Sequence, residues 1–341
     1  MGDRILVTGG LGFMGAAFAR RAVERGQPVV NVDLGTYAAD QRRLEELSAG
    51  GVAGKLRTER VDVASDRLGD LVRRERPPLI AHFAAETHVT RSEREAERFM
   101  HSNVEGTRAV LTAAESVGCR LVVHVSTDEV YGPCSGPPFR EEDKAPGAGQ
   151  ATSAYARSKA LADDVARSFF SRVPVIVVRP SNCFGPWQHP EKAVARWVTR
   201  ALTSDRIPVW GDGMHVRDWM FIDDAISGLD VLVDRGTPSE VYNLAPEGSQ
   251  RPNVDIARLV AEAAGRSAGD VYLTEYDRPG HDRRYAIDAT KVRALGWRPA
   301  GGLEARLAET VEWYRSHQDW WRPLVPEAEG LYADAVERGA T

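Results

Sequence analysis

The sequence predicts an α/β protein organised on a doubly wound parallel sheet and followed by a smaller C-terminal α+β domain. Three observations predict this. Short β-branched apolar runs alternate with helical patterns along the first half of the 341 residues, as successive βα units do. Gly9, Gly12 and Gly15 stand where the first apolar run gives way to the first helical pattern. A later run, Leu121-Val122-Val123-His124-Val125, passes directly into Ser126-Thr127-Asp128-Glu129, which brings a hydroxyl and two carboxyls to a strand end, where ligands of open α/β sheets collect.

Residues 4 to 8 read as a buried strand, and Gly9 to Gly15 leads into a helix over Ala16 to Arg25. In this G-x-x-G-x-x-G spacing Gly9 permits the tight turn, Gly12 lets the backbone approach a pyrophosphate, and Gly15 allows close helix packing. The second strand, Pro28 to Val32, ends in Asp33, about 20 residues on, where an acid binds an adenosine ribose. Asp33 would repel a ribose 2′-phosphate and residues 34 to 38 supply no arginine to bind one, so NAD is expected rather than NADP. Lys55 to Val61 is a strand delivering Asp62 and Val63, a pair placed either to meet adenine or to cap the next helix. Leu79 to Ala85 is another, and its small Ala84 and Ala85 would let a cofactor lie against the backbone; a polar helix carrying Asn103 and Gly106-Thr107 follows.

After Tyr131-Gly132 comes a Pro- and Gly-rich linker, Cys134 to Thr152, long enough to be a lid over the strand ends. Ser153 then caps a helix on which Tyr155 and Lys159, four apart, share one face. A lysine there lowers the tyrosine pKa and reaches a ribose, making Tyr155 a base near neutral pH; the competing reading is an exposed aromatic-cation pair. Asp128 and Glu129 likewise read either as acids dividing proton-handling duties or as a solvated turn. Past the strand Val173 to Val178 the pattern loosens into a turn-rich loop, Arg179 to Trp187, with a helix starting at Pro190-Glu191-Lys192. Arg217 and Arg278 are spaced as diphosphate ligands would be. The tail from Leu303 to Trp321 reads as one packed helix with an aromatic end, its stripe serving the core rather than a cofactor.

Composition narrows the function. The 44 Lys and Arg against 49 Asp and Glu give a net charge of −5, which excludes the basic footprint that nucleic acids or anionic membranes require. Cys119, Cys134 and Cys183 have neither a metal-ligand spacing nor a disulfide framework, and no metal site is expected. The chain starts straight into its first strand without a signal-like apolar region, and no run is long enough for a membrane span. A cytoplasmic location is the expectation.

These residues together resemble the extended short-chain dehydrogenase/reductases, and within them the nucleoside-diphosphate-glucose 4,6-dehydratases of the dTDP-glucose type. The resemblance runs nearly the whole length: Gly9 to Gly15, Asn31 to Asp33 with Thr36-Tyr37-Ala38, Ala84 to Val89, Ser126 to Gly132, Tyr155 to Lys159, Ser181-Asn182 with Gly185-Pro186 and Pro190 to Lys192, Arg217-Asp218-Trp219, and Asp277 to Asp288. Thr127-Asp128-Glu129 is the most specific segment, because related epimerases and decarboxylases usually lack the acid pair.

The resemblance implies a Rossmann domain over 1–180 that binds NAD through Gly9, Gly12, Phe13, Met14, Gly15, Asp33, Asp62, Val63, Ala84 and Ala85 together with Tyr155 and Lys159. A mainly sugar-nucleotide-binding domain over 181–341 returns some chain to the first, and Thr87, His88, Asn182, Glu191, Lys192, Arg217, Asn253, Arg278 and His281 would hold the substrate. Thr127 would hydrogen-bond the sugar O4, Tyr155 take its proton, Glu129 remove the C5 proton and Asp128 protonate the departing C6 hydroxyl. A homodimer is implied too. Departures from the family pattern fall around the substrate: Thr90 for Asp, Cys183 for Asn, Ala193 and Ala195 in a segment usually reading Leu-Ile-Pro, and Ala245-Pro246 for Gly-Gly. A 4-epimerase or decarboxylase would use the same NAD and Tyr155 without an acid at 128, and a non-catalytic dinucleotide-sensing protein would have lost Tyr155 or Lys159.

Overall fold

The computed structural model describes residues 4–49, 54–143, 152–203, 205–278 and 280–339. Among these the strands are β1 (Ile5–Thr8), β2 (Val29–Asp33), β3 (Leu56–Arg60), β4 (Leu79–His82), β5 (Leu121–Val125), β6 (Val175–Pro180), β7 (Asn182–Phe184), β8 (Ile207–Val209), β9 (Val216–Phe221), β10 (Glu240–Leu244), β11 (Gln250–Pro252) and β12 (Val271–Leu273). Seven of them form one parallel sheet in the order β10-β6-β5-β4-β1-β2-β3. The β-branched composition of the inner strands fits burial on both faces, and their residues divide by parity. Ile5, Val7, Ile176 and Val178 pack with helix Phe13–Glu24 and helix Ile222–Arg235 on one side. Leu6, Val175 and Val177 pack with Asp66–Glu75 and Gly106–Val117 on the other. Strand order reverses between β1 and β4, and the crevice at such a reversal is where this architecture binds ligands.

The remainder builds against the carboxyl ends of these strands. β7 pairs with β9 and β9 with β11, β8 pairs with β12, and β10 returns to the edge of the main sheet. Three sequence expectations need correction. The first helix starts at Phe13, not Ala16, with Gly12 at its N-cap. The stretch after β6 is not all loop: Arg179-Pro180 end β6, where Arg179 is buried and paired with Asp163 at 2.5 Å, and Asn182–Phe184 is a strand made by pairing with Trp219–Phe221. The tail is not one helix, because Leu303–Ser316 stops at His317, whose φ of −120° and ψ of 39° are not helical, and Val325–Gly339 follows. Its aromatics are core as expected: Trp187 packs 4.8 Å from Trp313 and 5.1 Å from Trp320, ring centre to ring centre. The central part of the expected lid, residues 144–151, lies outside the described residues. Its leading arm is fixed, Phe139 donating its N–H to the Ala286 carbonyl. No described helix is long and apolar enough to cross a membrane.

Candidate active site

One cleft runs along the carboxyl ends of β1, β2, β4 and β5 and continues into the smaller layer. Gly9 turns it with φ of +70°, and a Cβ there would stand 2.6 Å from the Ala84 amide nitrogen. A Cβ on Gly15 would meet the Gly9 carbonyl oxygen at 2.2 Å, so only glycine lets the helix start close behind the turn. Helix Phe13–Glu24 therefore points its free N–H groups at the cleft, an anion-binding arrangement. Asp33, buried at the rim, accepts from Leu11 N–H (2.9 Å) and Gly35 N–H (2.8 Å), yet burial outweighs these bonds and raises its pKa. Asp62 accepts from Ala64 N–H at 2.9 Å and lies 2.9 Å from His101 Nε2, while Ser65 is the N-cap of the following helix; Asp62 serves its own turn and, with Val63, also lines the cleft. Phe13, Met14, Ala84 and Ala85 complete that wall. A glycine cradle, a helix N-terminus and a buried acid beside small side chains fit a dinucleotide.

At the middle of the cleft stand Thr127, Asp128, Glu129, Tyr155 and Lys159. The short turn Asp128–Tyr131 is capped by Thr127, whose Oγ1 accepts from Glu129 N–H at 3.3 Å and donates to Asp128 Oδ1 at 3.2 Å. Asp128 is 2 % exposed, and its Oδ2 has no protein partner. Burial first, then the charges of Glu129 and Asp218, push its pKa up to about 8. Glu129 is raised too, by burial, with Arg278, Arg217 and Lys192 pulling the other way. The acids are not a solvated turn.

Nor are Tyr155 and Lys159 an exposed pair, since both are buried on helix Ala154–Ser168, which Ser153 caps by accepting from Ala156 N–H at 3.0 Å. The expected effect of the lysine on the tyrosine is overturned. Burial and the neighbouring Glu129 and Asp128 raise the Tyr155 phenol, whereas Lys159 donates to the Val125 carbonyl at 2.8 Å and is itself pushed down by burial to about 8.

The far half of the cleft is lined by Thr87, His88, Glu129, Asn182, Glu191, Lys192, Arg217, Asn253, Arg278 and His281, of which Thr87, Glu129, Asn182, Glu191 and Lys192 also line the first half. Asn182 Oδ1, Asn253 Oδ1 and Arg278 Nε are buried there without a hydrogen-bond partner, as groups awaiting a polar ligand would be. Lys192 Nζ donates to the Thr87 carbonyl at 3.2 Å. Asp277 anchors the loop bearing Arg278: it lies 2.8 Å from His281 Nδ1 and 3.3 Å from His215 Nε2, with the two imidazoles stacked at 3.7 Å. His88 caps a short helix by accepting from Arg91 N–H at 3.4 Å, and burial pushes its pKa to about 3. Among the departures, Cys183, Thr90 and Ala193 line the cleft, while Ala195 and Ala245 are core.

Sequence reasoning missed several lining residues: Arg43, Gln188 and His189 near the cofactor half, and Trp210, Tyr285 and Tyr332 in the other. Tyr285 carried a signal, sitting in the family-like segment after Asp277; Arg43, two residues into a polar helix, carried none.

A family model described as the NAD dependent epimerase/dehydratase family matches residues 5–245. The dTDP-glucose 4,6-dehydratase of Streptomyces griseus is 39% identical over 333 residues, which cover 96% of this chain and 98% of that protein. The dTDP-glucose 4,6-dehydratase of Streptomyces venezuelae, solved with NAD bound, superposes with a TM-score of 0.87 at 36% identity over 94% of this chain and 99% of that one. The UDP-glucose 4-epimerase of Thermus thermophilus, in complex with NAD, gives 0.81 at 25% identity over 92% and 99%.

Proposed function

The chain belongs to the NAD dependent epimerase/dehydratase family, and from that premise we propose its reaction. It is an NAD-dependent hydro-lyase that converts a nucleoside-diphosphate glucose into the 4-keto-6-deoxy sugar. The nucleoside is deoxythymidine, by likeness to the Streptomyces griseus enzyme. The observation that carries the reading is the acid pair at the strand end, buried Asp128, which keeps its proton to about 8, beside half-buried Glu129, with Thr127 and Tyr155 lining the same cleft. A 4-epimerase has no use for that pair.

NAD, which Gly9, Gly12, Gly15, Asp33 and Lys159 would hold, would supply the hydride acceptor for C4, the hydride donor for C6 and a positive charge that favours the ionised Tyr155 phenol. Tyr155 takes the O4 proton while Thr127 Oγ1 orients that oxygen. The 4-keto group so formed acidifies the C5 proton, which Glu129 removes as Asp128 protonates the C6 hydroxyl. Water leaves from C6. Glu129 gives a proton back to C5 as C6 is reduced, and the net change is the loss of one water. Lys159 holds the ribose side of the cofactor, and Asn182, Lys192, Arg217, Asn253, Arg278 and His281, with Thr87, His88 and Glu191, hold the sugar and diphosphate. The division of labour is 1–180 for cofactor and chemistry and 181–341 mainly for the nucleotide sugar, with β10 returning to the first sheet. Incubation with a panel of nucleoside-diphosphate hexoses, read by mass spectrometry, should show loss of one water from dTDP-glucose. Loss from none of the panel would refute the reading.

Cofactor choice follows from Asp33. Its two oxygens are held by backbone N–H groups at the site of the adenosine ribose, leaving a carboxylate that repels a 2′-phosphate. The buried Arg43 nearby gives its guanidinium to the carbonyls of Leu11, Ala38 and Trp187, so it does not serve a phosphate instead. NAD should bind more tightly than NADP by calorimetry, and equal affinity would contradict this. We also place the protein in the cytoplasm, on its free and separated cysteines, and as a homodimer, on its family resemblance. Light scattering should return twice the 37.4 kDa chain mass, and a monomer would remove the dimer.

A further inference from the structure

The segment after the cofactor acid and the segment lining the substrate half of the cleft are bonded to each other at both ends. At one end Arg43, 2 % exposed, donates from Nη1 to the carbonyls of Leu11 (2.5 Å) and Ala38 (2.6 Å) and from Nε and Nη2 to that of Trp187 (3.2 and 3.0 Å). At the other end the Tyr37 hydroxyl donates to Glu191 Oε1 at 2.8 Å, with the Arg91 guanidinium 3.7 Å over the Tyr37 ring and the His189 ring edge-on at 5.8 Å. Thr36, Ala38 and Ala39 of the first segment and Gln188, His189, Glu191 and Lys192 of the second line the cofactor half of the cleft.

Two features indicate that these bonds set positions rather than fill space. Trp187 has φ of +67°, a left-handed backbone conformation that a bulky residue keeps only where the surroundings impose it. Its carbonyl is held twice by Arg43. Glu191 is 1 % exposed, with Oε1 bonded by Tyr37 and Oε2 ion-paired with Arg91 Nε at 3.6 Å. Tyr37 and Arg91, whose guanidinium also lies over the Tyr37 ring, thus fix the orientation of the carboxylate.

We propose that Tyr37 and Arg43 are positioning residues that couple the two halves of the cleft, so that a dinucleotide at Asp33 and a nucleoside diphosphate at Lys192 bind cooperatively. The proposal rests on the NAD and sugar-nucleotide reading above. A ligand that orders residues 33–43 orders residues 187–192 through these bonds, leaving less to order when the second ligand arrives. By linkage each ligand then tightens the other by the same factor.

The test is calorimetric titration of NAD into the full-length wild type, Tyr37→Phe and Arg43→Lys, each without nucleotide and with saturating dTDP. Tyr37→Phe keeps the ring under Arg91 and loses only the hydroxyl; Arg43→Lys keeps the charge but has no fork to bridge three carbonyls. In the wild type dTDP should tighten NAD by about fivefold or more, the usual lower range of such coupling. In both variants that factor should fall towards one. A wild type in which the two ligands bind independently, or variants that keep the wild-type factor while only their melting temperatures drop, would overturn the proposal. A wild type that binds neither ligand would overturn the function reading and this proposal with it.

Discussion

Asp128→Asn should turn over roughly 10²- to 10⁴-fold more slowly than the wild type, the usual worth of one positioned acid, with nucleotide binding little changed. An ordinary aspartate is ionised at neutral pH and cannot give a proton to a leaving hydroxyl. Asp128 can, because its burial and the adjacent Glu129 and Asp218 hold its proton to about 8. The wild-type rate should therefore fall as pH rises through about 8, and the amide variant should lack that limb. As the two acids interact, the limb belongs to the pair as well as to Asp128. Stability provides a control. The folded carboxyl binds its proton to about 8 and an unfolded one only to 3.8, so the folded state loses stability as pH rises across that window. Asp128→Asn removes that loss and should melt no lower than the wild type at pH 8. An amide variant that turns over normally would remove Asp128 from the mechanism; one that is slow only because it unfolds would leave its role unsupported.

Glu129→Gln should separate oxidation from elimination. In the proposed reaction the glutamine could not take the C5 proton, while Tyr155 and Thr127 would remain in place for the C4 step. On mixing with substrate, the absorbance of reduced cofactor should appear and persist, and no 4-keto-6-deoxy product should accumulate. Tyr155→Phe should abolish both signals, since nothing is left to take the O4 proton. A Glu129→Gln enzyme that forms product at the wild-type rate would move the reading towards an epimerase or a simple dehydrogenase.

The residues of these predictions were legible because their positions are local in sequence. Thr127-Asp128-Glu129 follow one apolar run, and Tyr155 and Lys159 are one helical turn apart, so strand and helix periodicity suffices to bring them to the sheet's carboxyl edge. Their electrostatics were less legible. A neighbouring lysine suggested a lowered tyrosine pKa, but burial and two nearby acids, which arrive only with the tertiary fold, act in the opposite direction.

Contacts between distant segments left no trace in pattern. Arg43 meets Trp187 across 144 residues and Tyr37 meets Glu191 across 154, and nothing in the spacing of a polar helix start marks such a partner. β7 is a strand only because β9 lies beside it, its Asn-Cys-Phe having no strand periodicity of its own. The tail followed an apolar stripe correctly into the Trp187 cluster, yet the break at His317 is set by Trp320 N–H returning to the His317 carbonyl, a local turn that periodicity does not register.

The central claim is that one sugar molecule is oxidised at C4 and reduced at C6 within a single closed site. The most direct measurement uses dTDP-glucose deuterated at C4, with unlabelled water and a pool of unlabelled reduced cofactor, and locates the label in the product. The account predicts deuterium at C6 of the same molecule, and in a parallel run of unlabelled substrate in deuterated water it predicts deuterium at C5, where Glu129 exchanges its proton. Product with no deuterium at C6, or with the C4 label diluted by the external pool, would contradict it.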